Sequence, residues 1–417
     1  MPNHKIEDLV QFGDCEVYCE GLELDFKFLH FDSRLIEDSC GFLAMVGDSL
    51  DGHDFIEAAI NNGASLVIAQ KKCYVPSNVT LIVCKDPLKL LQDYASWYRD
   101  NKLTGFIIGV TGSVGKTSTK DSLTHLLSKT KCYASEGNYN NFLGLPLCLL
   151  KMTPNHQYGV FEAGISTPNE MGLLGEILKP NLMIVTNIHQ SHMEFFQNKQ
   201  ELIEEKLKLS LFMRQGAPLF FPKDLLDLSS GLLRTDLKVI PFEDFELSES
   251  IVEKMGFGPA KSYELAKFVL KDFEIDFNTS EDFSLTHLRM QRKTKNNQEF
   301  LLDCYNASPE SMRALFQSIV NVSDVIFVLA DMLELGLDSE LSHKIILKEL
   351  VLKKPKKIIL FGDIFLKACA EIENDSIEIL SFSKIEDACN YLKGNPCDCI
   401  ALKGSRFFAL ERIFQNF

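Results

Sequence analysis

The stretch from Phe106 to Ser128 constrains this chain more than any other. Phe106, Ile107, Ile108 and Val110 form a short apolar run with β-branched members, TGSVGKTST follows, and a helix is expected over Ser118 to Ser128. This reads as a glycine-rich loop between a buried strand and a helix. Gly112 and Gly115 let the backbone turn sharply, so that the N–H groups running through Ser113 to Ser118 can point at phosphate oxygens while the helix N-terminus adds partial positive charge. Lys116 supplies a mobile cation for the β/γ-phosphates, and the Thr117 hydroxyl is placed to ligate Mg²⁺. Strict Walker spacing would put glycine where Val110 stands, and Gly109 precedes that position, so the motif is a variant. A plain glycine-rich turn with a surface lysine is the alternative. Because GKTS directly follows an apolar strand, a nucleotide site is the stronger reading, with ATP as the expected ligand.

A chain of 417 residues has room for about three domains at the usual ~100–200 residues each. Its 46% hydrophobic content provides ample core material. A net charge of −15 argues against a nucleic-acid or membrane-surface partner, which would need a basic patch. Small anionic substrates stay compatible, through local lysines and helix N-termini. The N-terminus carries early acids and no long apolar core, so no signal peptide is expected, and no run approaches the ~18 apolar residues of a membrane span. The 12 cysteines are scattered, and Cys397 and Cys399 lack a matching second pair for zinc. Free thiols in a reducing, cytoplasmic setting are the expectation.

Along the chain, Phe55 to Gln70 predicts an amphipathic helix, a stop at Gly63 and a strand. Asp32, Ser33 and Arg34, and the segment Gly47 to Phe55, would ordinarily be solvated loops. Trp97 shares an apolar helix face with Leu90 and Tyr94 and is expected in the core. After the phosphate loop, GNYNNFLGLP places Asn141 in a loop suited to a polar contact. YGVFEAGIS then predicts a strand ending in Glu162, and LMIVTNIHQSHMEFF one ending in Thr186 and Asn187, with His189 and His192 just beyond. Functional residues of doubly wound sheets gather at such strand ends. Glu162 near Thr117 would complete a hard-oxygen Mg²⁺ site, to which His192 could add a ligand; a lone histidine is as well read as structural. Lys206 looks like one more cation on a solvated helix. Residues 210 to 300 suggest only short strands, and from about 308 β-α alternation resumes. The expected fold is α/β in three domains, 1–102, 103–307 and 308–417: a small α/β domain, a central P-loop-type mostly parallel sheet, and a Rossmann-like α/β domain.

Together these segments resemble the Mur ligase family. The resemblance rests on DSR and DGHDF, then GVTGSVGKTSTK, GNYNNFLGLP, FEAGIS, VTNIHQSHMEFF and EEK, then CYNASPESM, LADMLELG and LKGSR, in order over nearly the whole chain. It implies domains that bind, in turn, the UDP end of the substrate, ATP, and the incoming amino component. It also implies an ATP-dependent amide ligase working through an acyl phosphate. YNASP and DMLELG, without a DNPR-like signature, favour the branch that adds D-alanyl-D-alanine to UDP-N-acetylmuramoyl-tripeptide in peptidoglycan synthesis. By this resemblance Lys116, His192 and Lys206 are catalytic, Thr117, Glu162 and His192 hold metal, and Lys206 is carbamylated to hold a second Mg²⁺. Asn187, Asn306 and Asp331 lie on the nucleotide side. Asp32, Ser33, Arg34 and Asn141, with Lys403, Ser405 and Arg406, lie on the substrate side. A monomer is expected.

The chain departs from the family pattern in two places. Leu207 and Lys208 follow Lys206 where glycine and glutamate are usual. Between Lys206 and Tyr305 neither the histidine and asparagine segment at an alanine-rich helix nor the glycine-arginine pair is evident, so the elements that hold adenine and phosphates are expected to be reduced. A related ligase with another acceptor, or a non-catalytic binding relative, stays open as an alternative.

Overall fold

The computed structural model describes residues 3–19, 25–47, 49–165, 167–189, 195–196, 198–278, 286–374 and 376–417. Three larger sheets organise them, beside a two-stranded antiparallel pairing of His4–Lys5 with Asp25–Phe26. The first has five strands in the order Cys15–Tyr18, Thr80–Cys84, Ala64–Ala69, Cys40–Leu43, Leu29–His30, antiparallel only at its first pair. Here the reading of residues 55 to 70 holds: a helix at Ile56–Asn61, Gly63 at φ 105 and the Ala64–Ala69 strand. Only a residue without Cβ takes that φ cheaply.

The second sheet has six strands, all parallel, in the order Lys238–Phe242, Pro218–Pro222, Leu182–Val185, Phe106–Thr111, Tyr158–Glu162, Cys132–Ala134. Its middle strands are buried on both faces, which explains their near-continuous apolar character. Along Phe106–Thr111 the pleat sends Ile107 to one face and Ile108 and Val110 to the other. The face bearing Ile107 continues into the first unit through Leu90, Tyr94 and Tyr98 of the helix Pro87–Asn101, so the first two units share one hydrophobic core. Trp97 packs against that core, stacked on Tyr94 with ring centroids 5.9 Å apart. The opposite face is covered by Lys116–Leu126 and by a helix, Phe257–Asp272, that lies where only short strands were expected.

The third sheet runs Gln291–Lys295, Gln298–Asp303, Cys399–Lys403, Val325–Ala330, Lys357–Phe361, Glu378–Ser381, antiparallel only at its first pair. The first two strands form a hairpin turned by Asn296 and Asn297, at φ 51 and 61, the left-handed pair that a two-residue turn between twisted strands needs. The expected division at 307/308 therefore falls within this third unit, and we place its start ahead of Gln291. Beyond the hairpin, the helix Pro309–Gln317 begins with Pro309 and a reciprocal cap between Ser308 and Ser311. Among the described residues no helix is long and apolar enough to cross a membrane.

Candidate active site

Three neighbouring strand ends of the central sheet build the site. Phe106–Thr111 runs into the glycine-rich loop, Tyr158–Glu162 ends in its carboxylate, and Leu182–Val185 leads into Thr186 and Asn187. Gly112 sits at φ 145, and a Cβ there would lie 2.0 Å from Thr186 Oγ1, so no larger residue fits. Gly115, at φ 86, starts the helix Lys116–Leu126. Asn187 clamps the loop, its Oδ1 accepting from Val114 N–H at 2.9 Å and its amide donating to Val114 O at 2.8 Å. Thr186 Oγ1 donates to the same carbonyl at 2.7 Å, and Ser113 N–H donates to Asn187 O at 2.9 Å. The loop is thus fixed before any ligand arrives.

Thr117 and Glu162 are both buried, and the Thr117 hydroxyl donates to Glu162 Oε2 at 2.8 Å. The other carboxylate oxygen accepts the Asn140 amide at 2.8 Å. Among the described residues no three His, Cys, Asp or Glu side chains form a metal cluster. Two hard oxygens side by side nevertheless fit Mg²⁺, which takes one or two protein ligands and completes its shell with phosphate and water. His192 lies outside the described residues. His189 lines the cavity, with Nδ1 3.8 Å from Glu310 Oε1 of the third unit.

A half-buried lysine and a buried one meet at one carbonyl. Lys116 Nζ donates to Gly112 O at 2.8 Å and Ser113 O at 3.1 Å, and Lys206 Nζ donates to Gly112 O at 3.2 Å. Burial lowers the pKa of both. Lys206, 1% exposed, is held well below the ordinary value, since the Lys116 charge adds to its desolvation while Glu205 opposes only in part. Lys206 is therefore not the solvated cation that residue chemistry alone suggested. The departures beside it are explained by packing: Leu207 is buried in the core, and Lys208 turns outward to Glu205 at 2.7 Å.

The loop, Glu162, Asn140, Asn141 and Asn187 line one side of a cavity of about 1210 Å³. The third unit lines the other, with Arg289, Tyr305, Asn306, Arg313 and Lys403 among its residues. Arg289 stacks on the Tyr305 ring at 4.4 Å, and its Nε is buried without a hydrogen-bond partner among the described residues. Sequence reasoning missed Arg289 because Leu288 stands before it where glycine was sought. Leu288 nonetheless adopts φ 61, the conformation a glycine would favour. The far end of the cavity is formed by Phe242, Phe245, Phe257 and Lys261, where the unforeseen helix begins.

The remaining candidates divide. Lys403 Nζ binds Asp303 Oδ2 at 2.5 Å and Asn306 O at 3.1 Å, at the cavity wall. Asn141 Oδ1 accepts from Gly144 N–H at 2.9 Å, at the start of the helix Gly144–Lys151. Asp331 is buried and accepts from Ile364 and Phe365 N–H at 3.1 and 2.8 Å, which commits its carboxylate to a helix start inside the third unit. Ser405 bonds to Asp331 O at 2.8 Å, and Arg406 pairs with Glu411 at 2.5 Å. In the first unit Asp32 holds Arg34 through Nε at 2.9 Å and Nη2 at 2.7 Å, which keeps its carboxyl at about 2.

Residues 25–99 match the Mur ligase family catalytic domain, 110–254 the Mur ligase middle domain, and 288–406 the Mur ligase glutamate ligase domain. The UDP-N-acetylmuramoyl-tripeptide–D-alanyl-D-alanine ligase of Borreliella burgdorferi is 31% identical, over 95% of each chain. The ligase of the same name from Rickettsia prowazekii is 29% identical, over 93% of this chain and 94% of its own. The crystal structure of MurF from Acinetobacter baumannii shares the fold with a TM-score of 0.86 at 21% identity, covering 100% and 99%. MurF of Thermotoga maritima, solved in complex with ADP, gives 0.77 at 23%, covering 93% and 96%. The three-domain match and the residues at its strand ends agree: the chain belongs to the Mur ligase family, among its UDP-N-acetylmuramoyl-tripeptide–D-alanyl-D-alanine ligases.

Proposed function

We infer that the chain joins D-alanyl-D-alanine to UDP-N-acetylmuramoyl-tripeptide at the expense of ATP. The products are UDP-N-acetylmuramoyl-pentapeptide, ADP and phosphate. The observation that carries this reading is the Thr117–Glu162 oxygen pair beside the half-buried Lys116, at a cavity walled by the second and third units. In this reading Gly112 to Ser118 cradle the β- and γ-phosphates. Thr117 and Glu162 hold Mg²⁺, whose charge offsets that on the phosphates. A terminal carboxylate oxygen of the tripeptide attacks the γ-phosphorus, ADP leaves, and the resulting acyl phosphate is attacked by the dipeptide amine. Phosphate departs from the tetrahedral adduct, and the amine loses its proton as the amide forms.

Lys116 and Arg289 approach the cavity from opposite walls, the arrangement needed to neutralise a transferring phosphoryl group. Burial, which disfavours the charged form of Lys206, favours the free amine that takes up CO₂ to give a carbamate and a proton, and this would supply an anionic ligand for a second Mg²⁺. By the family resemblance His192 adds a metal ligand, and Asn187 completes the nucleotide side. Asp32, Ser33 and Arg34 receive the uridine nucleotide, while Asn141, Lys403, Ser405 and Arg406 face the peptide components. Adenine lies against Phe257 at the far end of the cavity. Every group named comes from one chain, which suits a monomer. Dependence on ATP and 12 free cysteines suit the cytoplasm.

The test is phosphate release from Mg-ATP with UDP-N-acetylmuramoyl-tripeptide, with and without D-alanyl-D-alanine. Dipeptide-dependent release with one UDP-pentapeptide per phosphate is expected. ATP binding without release under any acceptor would contradict the assignment.

A further inference from the structure

The first unit touches the metal carboxylate through a hydrogen-bonded chain that the reaction scheme above does not use. His30 ends the strand Leu29–His30, two residues before Asp32, and is buried. The Asp32 N–H donates to His30 Nδ1 at 2.9 Å, so that nitrogen is an acceptor. Burial, reinforced by the nearby Lys151 charge, lowers the imidazole pKa and keeps it neutral. The ring proton is therefore on Nε2, which lies 2.9 Å from Tyr139 Oη and donates to it.

Tyr139 belongs to the central unit, and the next residue, Asn140, donates its amide to Glu162 Oε1. Asn140 O also accepts from Gly164 N–H at 2.8 Å, beyond the end of the strand bearing Glu162. The loop has no slack. A Cβ on Gly144 would lie 2.6 Å from Tyr139 Cα, one on Gly164 would lie 3.0 Å from Asn140 Cγ, and Gln92 of the first unit holds Phe142 O at 3.0 Å. A movement of the Asp32 backbone is thus passed through His30 and Tyr139 to the amide that orients Glu162.

We propose that His30 and Tyr139 are positioning residues that couple occupancy of the uridine-nucleotide end, at Asp32 to Arg34, to the set of the Glu162 carboxylate and hence to Mg-nucleotide binding. The proposal rests on the functional reading above. Because such a coupling is reciprocal, each ligand strengthens the binding of the other through the junction between the first two units.

The experiment is calorimetric titration of the full chain with Mg-ADP, with and without saturating UDP-N-acetylmuramoyl-tripeptide. A coupling free energy in the usual range corresponds to about 5- to 150-fold. The wild type should bind Mg-ADP about tenfold more tightly with the UDP-substrate present, and metal-free ADP in chelator should show no such gain. Tyr139→Phe keeps the ring against Gly144 and loses only the hydroxyl. It should reduce the gain to less than about twofold while leaving the affinity for each ligand alone unchanged. His30→Leu should reduce the gain likewise and, by removing the acceptor of the Asp32 N–H, also weaken binding of the UDP-substrate alone. His30→Gln, whose amide can donate from the place of Nε2, should retain most of the gain. Unchanged coupling in Tyr139→Phe, or no coupling in a wild type that binds both ligands, would overturn the proposal and leave the ligase reading intact. Failure of the wild type to bind the UDP-substrate at all would overturn the reading beneath it as well.

Discussion

The two ends of the cavity are built on different principles. At the phosphate end, Gly112 has no room for a side chain, Asn187 and Thr186 pin the loop through the peptide groups of Val114, and the half-buried Lys116 and the buried Lys206 share one carbonyl. Such an arrangement costs stability, because the Lys206 amine loses on burial hydration that one carbonyl does not replace. At the far end, Phe242 and Phe245 stack at 6.1 Å and Phe257 begins an ordinary amphipathic helix packed on Lys116–Leu126. That end gains stability from packing. The phosphate end is therefore specified atom by atom, whereas the far end needs only an aromatic surface.

The largest effect that would break this contrast is in catalysis. Lys116→Ala should lower kcat on the order of a thousandfold, as loss of a preorganised charge at a phosphoryl group does. Near-normal turnover in a steady-state assay would remove the phosphate-loop assignment. At the far end, Phe257→Ala should raise KM for ATP by about tenfold, the value of one stacked base, with kcat within about twofold. An equal fall in kcat would show that this end also takes part in chemistry.

Stability separates the two ends further. Lys206 binds a proton in the unfolded chain at neutral pH that burial disfavours in the native one, so its native pKa is depressed and its contribution to stability rises with pH. Lys206→Met should therefore raise stability by about 1–3 kcal/mol at pH 7 in urea unfolding while removing activity. The advantage over wild type should shrink as pH climbs toward the ordinary lysine value, and an advantage that grows with pH would contradict the burial argument. The smallest effect belongs to the solvated rim of the far end. Asp244 pairs with Lys261 at 2.8 Å with its carboxylate largely exposed, so Asp244→Asn should shift stability by less than about 0.5 kcal/mol.

The same contrast explains what could be read in advance. That Gly112, Lys116, Thr117, Glu162 and Asn187 meet at neighbouring strand ends was legible because strand-end geometry and a glycine-rich loop admit few residue types at fixed spacing. The strands of the third unit were legible from their apolar runs, but its opening hairpin was not, since Gln291–Lys295 is a polar edge strand. Lys206 was misleading on chemistry alone, although a signal existed: it falls on the same helical face as the buried Leu202 and Ile203. The helix Phe257–Asp272 carried its own signal in Ala260, Tyr263, Ala266 and Leu270, at spacings of three and four, broken up by Lys261, Glu264 and Lys267. Arg289 could not be found through a glycine-arginine pair because the left-handed position is filled by Leu288. The link from His30 to Glu162 spans the first two units, and only tertiary structure brings its members together.

The most direct test of the account follows an oxygen atom. UDP-N-acetylmuramoyl-tripeptide labelled with ¹⁸O in its terminal carboxylate, turned over with Mg-ATP and D-alanyl-D-alanine, should deliver one ¹⁸O to each phosphate released, because the attacking carboxylate oxygen leaves with phosphorus when the amide forms. Phosphate carrying no label, with the pentapeptide still produced, would show that no acyl phosphate forms and that the phosphate loop serves some other step.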